Sequence, residues 1–203
     1  AGINCGSMCS ADFDHNMVVT LTATANPGWT FSQWSGDASG SANPITMTMT
    51  GNRSVTATFT LNTYTLTVNT TGNGSGSVAT AYLGTLVLPP STYAFGTVVT
   101  LTASANTGSS FAEWSGDVTG TTNPITLTMD SNKTVTATFT LDTYTLTVNT
   151  TGNGSVARNP DQSTYHYGDV VTLTATADAG WAVAGWSGAG CSGLGECVVT
   201  MYG

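Results

Sequence analysis

Basic side chains are almost absent from this sequence of 203 residues. Its three lysines and arginines are Arg53, Lys133 and Arg158, and the formal net charge is −8 at pH 7. Nucleic-acid binding needs a basic surface that neutralises phosphates, and attraction to an anionic membrane needs one as well. We therefore expect neither a nucleic-acid partner nor an electrostatic attachment to membranes.

Three further features that are scarce or absent narrow the class of protein. Charged residues make up only 7% of the chain, against about 25% in an ordinary soluble domain. No apolar run approaches the roughly 20 residues that span a bilayer, so no membrane insertion is expected. No window shows the apolar spacing of an amphipathic helix, which argues against a helical fold.

Polarity comes instead from threonine, serine, asparagine and glycine; Thr and Val favour strands, whereas Gly and Asn favour turns. In stretches such as YTLTVN (144–149) and VTATF (55–59), apolar and polar side chains alternate strictly. This period of two is typical of strands with one buried and one solvated face. The sequence therefore predicts an all-β protein built from small sheets.

The same motifs recur at a regular spacing along the chain. WSG stands at 34–36, 114–116 and 186–188, and VVTLTA recurs in step with it. The first two copies of WSG are farther apart than the last two, and we attribute this to an insertion in repeat 2 at about 79–90. We predict three tandem β-repeats: residues 1–61, which lack the first hairpin; the complete repeat 62–141; and residues 142–203, which lack the last strand. We expect the chain to be a segment of a longer array.

The two junctions between repeats are nearly identical, ATFTLNTYTLT and ATFTLDTYTLT. Neither contains Gly or Pro, so neither resembles a flexible linker. The inward parity of the strand switches at Asn62-Thr63 and again at Asp142-Thr143, which predicts a short kink or bulge. We therefore expect modules joined end to end as an elongated rod, with one rotation relating each repeat to the next.

Two local patterns predict backbone turns. Asn153-Gly154 is typical of a type I′ hairpin turn, in which both residues have positive φ. Gly96 and Gly168 precede equivalent strands, and Asn16 takes that place in repeat 1. Since Gly and Asn adopt the left-handed conformation most easily, we expect a backbone corner there.

The order YTLTVNTTGNGSV … YHYGDVVTLTATADAGWAVAGWSG … VTM resembles the divergent internalin B-repeats, close to the Listeria–Bacteroides repeats, of bacterial surface and secreted proteins. The resemblance covers nearly the whole chain, and INCGSMCSADF and CSGLGEC look like cysteine-bearing variants of the unit. It implies an extracellular or cell-surface location and, as one candidate topology for each module, a β-grasp-like fold. It says little about function, because such repeats lie beside many different domains.

Four cysteines form two close pairs, Cys5 with Cys9 and Cys191 with Cys197. Zinc binding is the competing interpretation, but neither pair has CxxC spacing and the pairs lie in different repeats. We favour two local disulfides, which indicate an oxidising compartment outside the cytoplasm.

Five tryptophans divide into two groups. Trp34, Trp114 and Trp186 recur in every repeat, which favours anchors of small cores over sugar-stacking platforms. Trp29 and Trp181 are replaced by Ser109 in repeat 2. They are therefore the better candidates for ligand binding, and carbohydrate is the ligand that exposed indoles favour.

Acidic and histidine residues suggest no metal, cofactor or catalytic site. Asp37 and Asp117 follow WSG, but one carboxylate per loop cannot supply the six to eight oxygens of a calcium site, so turn capping is favoured. DFDHN at 12–16 lacks the remaining residues of a calcium loop. His15 aligns with Phe95 and Tyr167, which indicates an aromatic position, and no nucleophile motif or carboxylate pair recurs.

The sequence therefore favours a non-catalytic structural segment of an extracellular bacterial protein, such as a stalk, spacer or filament body that self-assembles or continues into neighbouring repeats. One alternative is a module that binds carbohydrate or a host surface through Trp29 and Trp181. Another is a set of accessory repeats attached to a secreted enzyme.

Overall fold

The computed structural model describes residues 10–82, 85–87 and 91–202. Within these residues all regular secondary structure is β-strand, as the alternating pattern predicts. This part of the chain contains no helix with the length and apolarity needed to cross a membrane.

Contacts between residues divide the chain into two compact units. The first comprises Ala1–Tyr64, Thr92–Thr97 and Met129–Ser131, and the second comprises Thr65–Ser91, Val98–Thr128 and Asn132–Gly203. The first unit thus holds repeat 1 with short segments of repeat 2, and the second holds the remainder.

Repeat 1 forms two small antiparallel sheets. Its strands are β1 (Val18–Leu21), β2 (Trp29–Gly36), β3 (Ile45–Thr48) and β4 (Val55–Leu61). β1 pairs with β3, and β2 pairs with β4. Val55, Ala57 and Phe59 of β4 are half-buried while the threonines between them are exposed, which confirms the predicted facing.

Repeat 2 is a sandwich of two four-stranded sheets. Its strands are β5 (Thr63–Thr71), β6 (Gly76–Tyr82), β7 (Thr85–Val87), β8 (Ser91–Ala94), β9 (Val98–Ala105), β10 (Ser109–Gly116), β11 (Ile125–Thr128) and β12 (Lys133–Leu141). One sheet has the order β10-β12-β5-β8 and the other β11-β9-β6-β7. The predicted insertion at about 79–90 lies partly outside the described residues, and its described part includes the pairing of β6 with β7.

The core of repeat 2 lies between these sheets. A Cβ on Gly76 of β6 would overlap the ring of Phe139 on β12, so the sheets face each other closely. Side chains from both sheets are fully excluded from solvent: Leu66, Val99, Leu101, Val135, Ala137 and Phe139. Each large apolar side chain buried in this way stabilises the fold by about 1.5–3 kcal/mol.

Repeat 3 is built from shorter pieces. Its strands are β13 (Thr143–Tyr144), β14 (Gly154–Asn159), β15 (Tyr165–His166), β16 (Val170–Ala177), β17 (Trp186–Gly188), β18 (Cys191–Gly193) and β19 (Cys197–Thr200). The central sheet has the order β14-β16-β19. Its core contains Tyr165, Val171 and Leu173.

The predicted backbone corner is confirmed in all three repeats. Asn16, Gly96 and Gly168 have φ values of 65°, 81° and 84°. In each repeat this left-handed residue lies two positions before a strand (β1, β9 or β16), and Gly and Asn adopt this conformation at low cost.

The predicted type I′ turn at Asn153-Gly154 is wrong. Positive φ falls instead at Gly152, with a value of 85°. Gly154 is required for another reason, because a Cβ there would lie 2.7 Å from the carbonyl oxygen of Thr176. Glycine here serves close approach of two backbones, which an Asn-Gly pair in the sequence does not distinguish from a turn.

The recurring tryptophans anchor the cores of the first two repeats. Trp34 and Trp114 are buried, and Trp186 is half-buried. Each indole nitrogen donates to a backbone carbonyl, on Ala42, Thr122 and Gly195 respectively.

Candidate functional site at the repeat junctions

Asn62 connects repeat 1 to repeat 2 through both of its backbone polar groups. Its amide donates to the carbonyl oxygen of Gly28 at 2.8 Å, and its carbonyl oxygen accepts from the amide of Phe95 at 2.9 Å. The hydroxyl of Thr30 donates to its side-chain Oδ1 at 2.7 Å. One residue between β4 and β5 thus contacts both neighbouring repeats.

Asp142 repeats this arrangement at the second junction. Its amide donates to the carbonyl oxygen of Gly108 at 2.9 Å, and its carbonyl oxygen accepts from the amide of Tyr167 at 3.2 Å. The hydroxyl of Ser110 donates to its Oδ1 at 2.5 Å. Since Asn and Asp both present an Oδ1 acceptor, their exchange between the junctions preserves every one of these bonds.

An aromatic ring packs on a glycine at each junction. A Cβ on Gly28 would overlap the ring of Phe95, and one on Gly108 would overlap the ring of Tyr167. Both glycines also have positive φ, 79° and 75°. The equivalent Gly180 in repeat 3 has φ of 84° but no atom within 4 Å of the same position.

The junction differs in one respect from its sequence prediction, and two of its residues were missed. The break between strands is a single residue, Asn62 or Asp142, instead of two. Sequence reasoning placed the parity switch correctly but did not identify Gly28 and Gly108. Their recurrence in NPGW and NTGS, one before an aromatic and one before a serine, was the available signal.

The predicted cysteine pair of repeat 3 is bonded in the structure. Cys191 and Cys197 form a disulfide with a Cα–Cα separation of 5.4 Å. Cys197 is 3% exposed and faces the core of repeat 3, so the bond connects the loop to that core. The predicted pair Cys5 and Cys9 lies outside the described residues.

Trp29 and Trp181 are both exposed, at 44% and 56%. Trp29 lines a surface depression of about 230 Å³ together with Thr24, Asn26 and Phe59. The ring of Trp181 lies beside Gly152. The two tryptophans belong to different compact units.

Asp37 and Asp117 cap strands, in line with the predicted turn role. Asp37 Oδ2 accepts from the amide of Ser54 at 2.7 Å, and Asp117 Oδ2 accepts from the amide of Thr134 at 2.6 Å. The Ser54 amide and then the Arg53 guanidinium, 3.2 Å from Oδ1, hold the pKa of Asp37 below its ordinary value of 3.8. Across residues 10–82, 85–87 and 91–202, no three His, Cys, Asp or Glu side chains are grouped to hold a metal ion.

Comparison with protein families decides what these repeats are. The model of the divergent InlB B-repeat domain matches the chain three times in tandem, at residues 2–63, 64–143 and 144–201. The chain belongs to this family. No curated protein and no solved structure matched the chain.

Membership of the divergent InlB B-repeat family and the disulfide bear on role and location. The family is a structural, non-catalytic type of repeat, and it occurs in bacterial surface proteins. The disulfide of repeat 3 is consistent with an oxidising, extracellular setting. The repeated junction is therefore the feature of this chain that bears most directly on a structural role.

Proposed function

We propose that this chain is a structural spacer of a secreted or cell-surface bacterial protein, in which repeated junctions hold successive B-repeats in one fixed relation. The observation that supports this most directly is the recurrence of the junction hydrogen bonds. Asn62 and Asp142 use the same backbone groups toward an upstream glycine and a downstream aromatic residue. A flexible linker would make no such bonds.

A spacer of this kind requires stiffness at each junction. The bonds to Gly28 and Phe95 restrain Asn62 from both sides, and the ring of Phe95 packs directly on Gly28. Since a repeated junction produces a repeated angle, we expect the rotation from repeat 1 to repeat 2 to match that from repeat 2 to repeat 3. Residual dipolar couplings measured for each repeat would give both rotations.

Small-angle scattering tests the stiffness itself. A Gly-Ser-Gly-Ser insertion after Asp142 should broaden the distribution of intramolecular distances, because it separates the bonded groups. The same insertion after Gly51, a turn residue with nothing within 4 Å of its Cβ position, is the matched control and should leave the distribution unchanged. A wild-type chain as broad in its distances as the Asp142 insertion variant would refute the spacer role.

Carbohydrate binding is the second candidate function, and the exposure of Trp29 and Trp181 favours it. Exposed indoles stack on sugar rings through their apolar faces. Calorimetric titration with soluble cell-wall polysaccharides should detect this binding, and Trp29→Ala and Trp181→Ala should each weaken it. Binding that survives both substitutions would exclude these residues as the platform.

A further inference from the structure

In repeats 1 and 2 an asparagine side chain binds both backbone polar groups of one alanine. In repeat 2, Asn123 Nδ2 donates to the carbonyl oxygen of Ala103 at 2.7 Å, and the amide of Ala103 donates to Asn123 Oδ1 at 2.9 Å. Asn43 and Ala23 make the same two bonds at the same distances in repeat 1. A single carboxamide thus satisfies a backbone donor and a backbone acceptor that lie side by side.

Repeat 3 has the alanine but not the asparagine. Leu173 pairs with Cys197 in its central sheet, so two residues further along Ala175 lies opposite Gly195. The equivalent register in repeat 2 places the alanine opposite the asparagine described above. Because glycine carries no carboxamide, neither of the two bonds can form, and no side chain of the described residues takes its place at Ala175.

The backbone groups of Ala175 point toward the position of Gly195. The amide of Asp178 donates to the carbonyl oxygen of Asn153 at 3.2 Å, which makes these two residues a hydrogen-bonded pair beside the ladder of β14 and β16. Hydrogen-bonded and non-hydrogen-bonded pairs alternate along an antiparallel ladder. Val156 and Ala175 are therefore a non-hydrogen-bonded pair. The amide and the carbonyl of Ala175 are thus turned away from β14 and toward Gly195.

The disulfide of repeat 3 takes over the structural role of the missing bonds. In repeat 2 the asparagine fastens the loop between β10 and β11 to strand β9. In repeat 3 the bond between Cys191 and Cys197 closes the equivalent loop, and Trp186 Nε1 donates to the carbonyl oxygen of Gly195 at 2.8 Å. The loop is therefore held without the backbone groups of Ala175, which remain open to a ligand.

A surface depression of about 190 Å³ lies at these groups. Ala175 and Gly195 line it together with the apolar side chains of Val183, Trp186 and Leu194. Leu194 is largely exposed, so its side chain is accessible to a ligand that enters the depression. The depression thus combines a few polar groups of fixed position with an apolar wall, which is typical of small-ligand sites in proteins.

The strand that follows this loop in repeat 2 takes no part in the alanine–asparagine contact. That strand, β12, lies in the other sheet of the sandwich, between β10 and β5. Both bonds of Asn123 go to Ala103 of β9. The open backbone groups of repeat 3 therefore result from Gly195 and from the disulfide, which both lie inside the described part of that repeat.

We propose that repeat 3 carries a binding site for a primary carboxamide, the group at the end of a glutamine or asparagine side chain, on the backbone of Ala175. The carboxamide oxygen accepts from the amide of Ala175, and the carboxamide nitrogen donates to its carbonyl oxygen. The methylene groups of the ligand lie against Trp186 and Leu194. The side chain of Asn123 shows the same pair of bonds within repeat 2.

The two bonds determine which amides the site accepts. They require an N–H and a C=O on the same side of the C–N bond, which every primary carboxamide has. A secondary amide in its preferred trans form has these groups on opposite sides, and its cis form is strongly disfavoured. The acetamido group of an N-acetylated sugar is such a secondary amide, and a carboxylate has no hydrogen to donate. The site therefore excludes both groups.

Titration of the full chain with N-acetylglutamine, followed in amide NMR spectra, tests the proposal. Saturable binding should shift the signal of the Ala175 amide downfield, because this amide gains an acceptor. The derivative methylated on the side-chain nitrogen has the same charge but a trans N–H, so it should bind about tenfold or more weakly. N-acetylglucosamine should leave the Ala175 signal unshifted.

Gly195→Asn and Gly195→Ala are the matched variants of the chain. A Cβ on Gly195 would meet no atom within 4 Å, so both variants should fold. Gly195→Asn supplies a carboxamide from the chain itself, so it should abolish binding and slow hydrogen exchange of the Ala175 amide. Gly195→Ala adds a side chain without a carboxamide and should leave binding nearly unchanged.

Free glutamine derivatives and the glutamine side chains of polypeptides offer the same carboxamide. Tighter binding of the tripeptide Ala-Gln-Ala than of N-acetylglutamine would identify a polypeptide as the source, and equal or weaker binding would identify a small amide. An unshifted Ala175 amide, equal binding of the methylated derivative, or binding that survives Gly195→Asn would overturn the proposal. The spacer role does not enter these measurements, so either proposal can fail without the other.

Discussion

Gly108 lies directly against the aromatic ring of Tyr167, with no room between them for a β-carbon. Gly28 and Phe95 stand in the same relation at the other junction. The ring belongs to Phe at one junction and to Tyr at the other, while the residue beneath it is glycine at both. The contact therefore requires the absence of a side chain on the glycine and does not require the tyrosine hydroxyl. Gly180 has the same backbone conformation without a ring above it.

Replacing Gly108 by Ala should destabilise the protein more than replacing Gly180. Both substitutions place a side chain at positive φ, which costs about 1–2 kcal/mol. Only Gly108→Ala also forces Tyr167 away, which adds about 1–3 kcal/mol as overpacking. Denaturant unfolding of the two variants measures the difference, and equal losses of stability would show that the ring contact contributes nothing.

The disulfide of repeat 3 should account for a measurable share of its stability. Cys197 aligns with Ile45 and Ile125 of the other repeats, and Cys191 aligns with Ser39. The double variant Cys191→Ser, Cys197→Ile therefore keeps an apolar side chain in the core and removes only the covalent closure. We expect a loss of about 2 kcal/mol from the short closed loop. Unfolding monitored by the fluorescence of the variant and the wild type gives this value, and unchanged stability would contradict it.

Asp37 should make the stability of repeat 1 sensitive to acid. The amide of Ser54 and then the guanidinium of Arg53 favour its charged form, so its pKa in the folded state lies below 3.8. A depressed pKa means that the stabilisation is fully present above the unfolded-state value and is lost as the pH falls through the folded-state value. The carboxyl carbon shift of Asp37, followed by NMR below pH 5, should titrate at a lower pH than in Asp37-containing unfolded peptide. Arg53→Gln should raise this pKa only part of the way, because the Ser54 bond remains.

Sequence reasoning predicted the facing of strands such as VTATF (55–59) correctly, but the strand predicted at YTLTVN (144–149) is wrong beyond Tyr144. YTLTVNTT occurs at 64–71 and at 144–151. In repeat 2 it lies within the nine-residue strand β5, whereas in repeat 3 only its first residue, Tyr144, lies in a strand. Local sequence sets which side chains face inward, whereas strand length depends on a neighbour that local sequence does not contain.

At the junction, the position of the break between strands could be predicted from the sequence, but the contact between glycine and aromatic ring could not. The parity switch at Asn62 is visible in the order of apolar residues, so the position of the break followed from the sequence. The contact of Gly28 with Phe95 joins residues 67 positions apart in the sequence. Alternation carries no information about such a pairing, and glycine is common in turns for its backbone conformation alone, whether or not a ring packs on it.

The duplicated segment also provides the sharpest test of these ideas, through Thr67→Pro and Thr147→Pro. Proline removes a backbone amide. At Thr67 that amide points toward β12 within a paired strand, so its loss should leave a carbonyl of β12 unpaired and cost about 1–3 kcal/mol. Residues 145–153 belong to no strand in the part of the chain that the structure describes, so Thr147→Pro should change stability by less than about 0.5 kcal/mol. Thr67→Ala and Thr147→Ala, which keep the amide, are the matched controls for the lost side chain. If thermal unfolding shows the same loss of stability for both proline variants, residues 145–153 are paired in solution. The two copies of the sequence would then not differ in strand pairing.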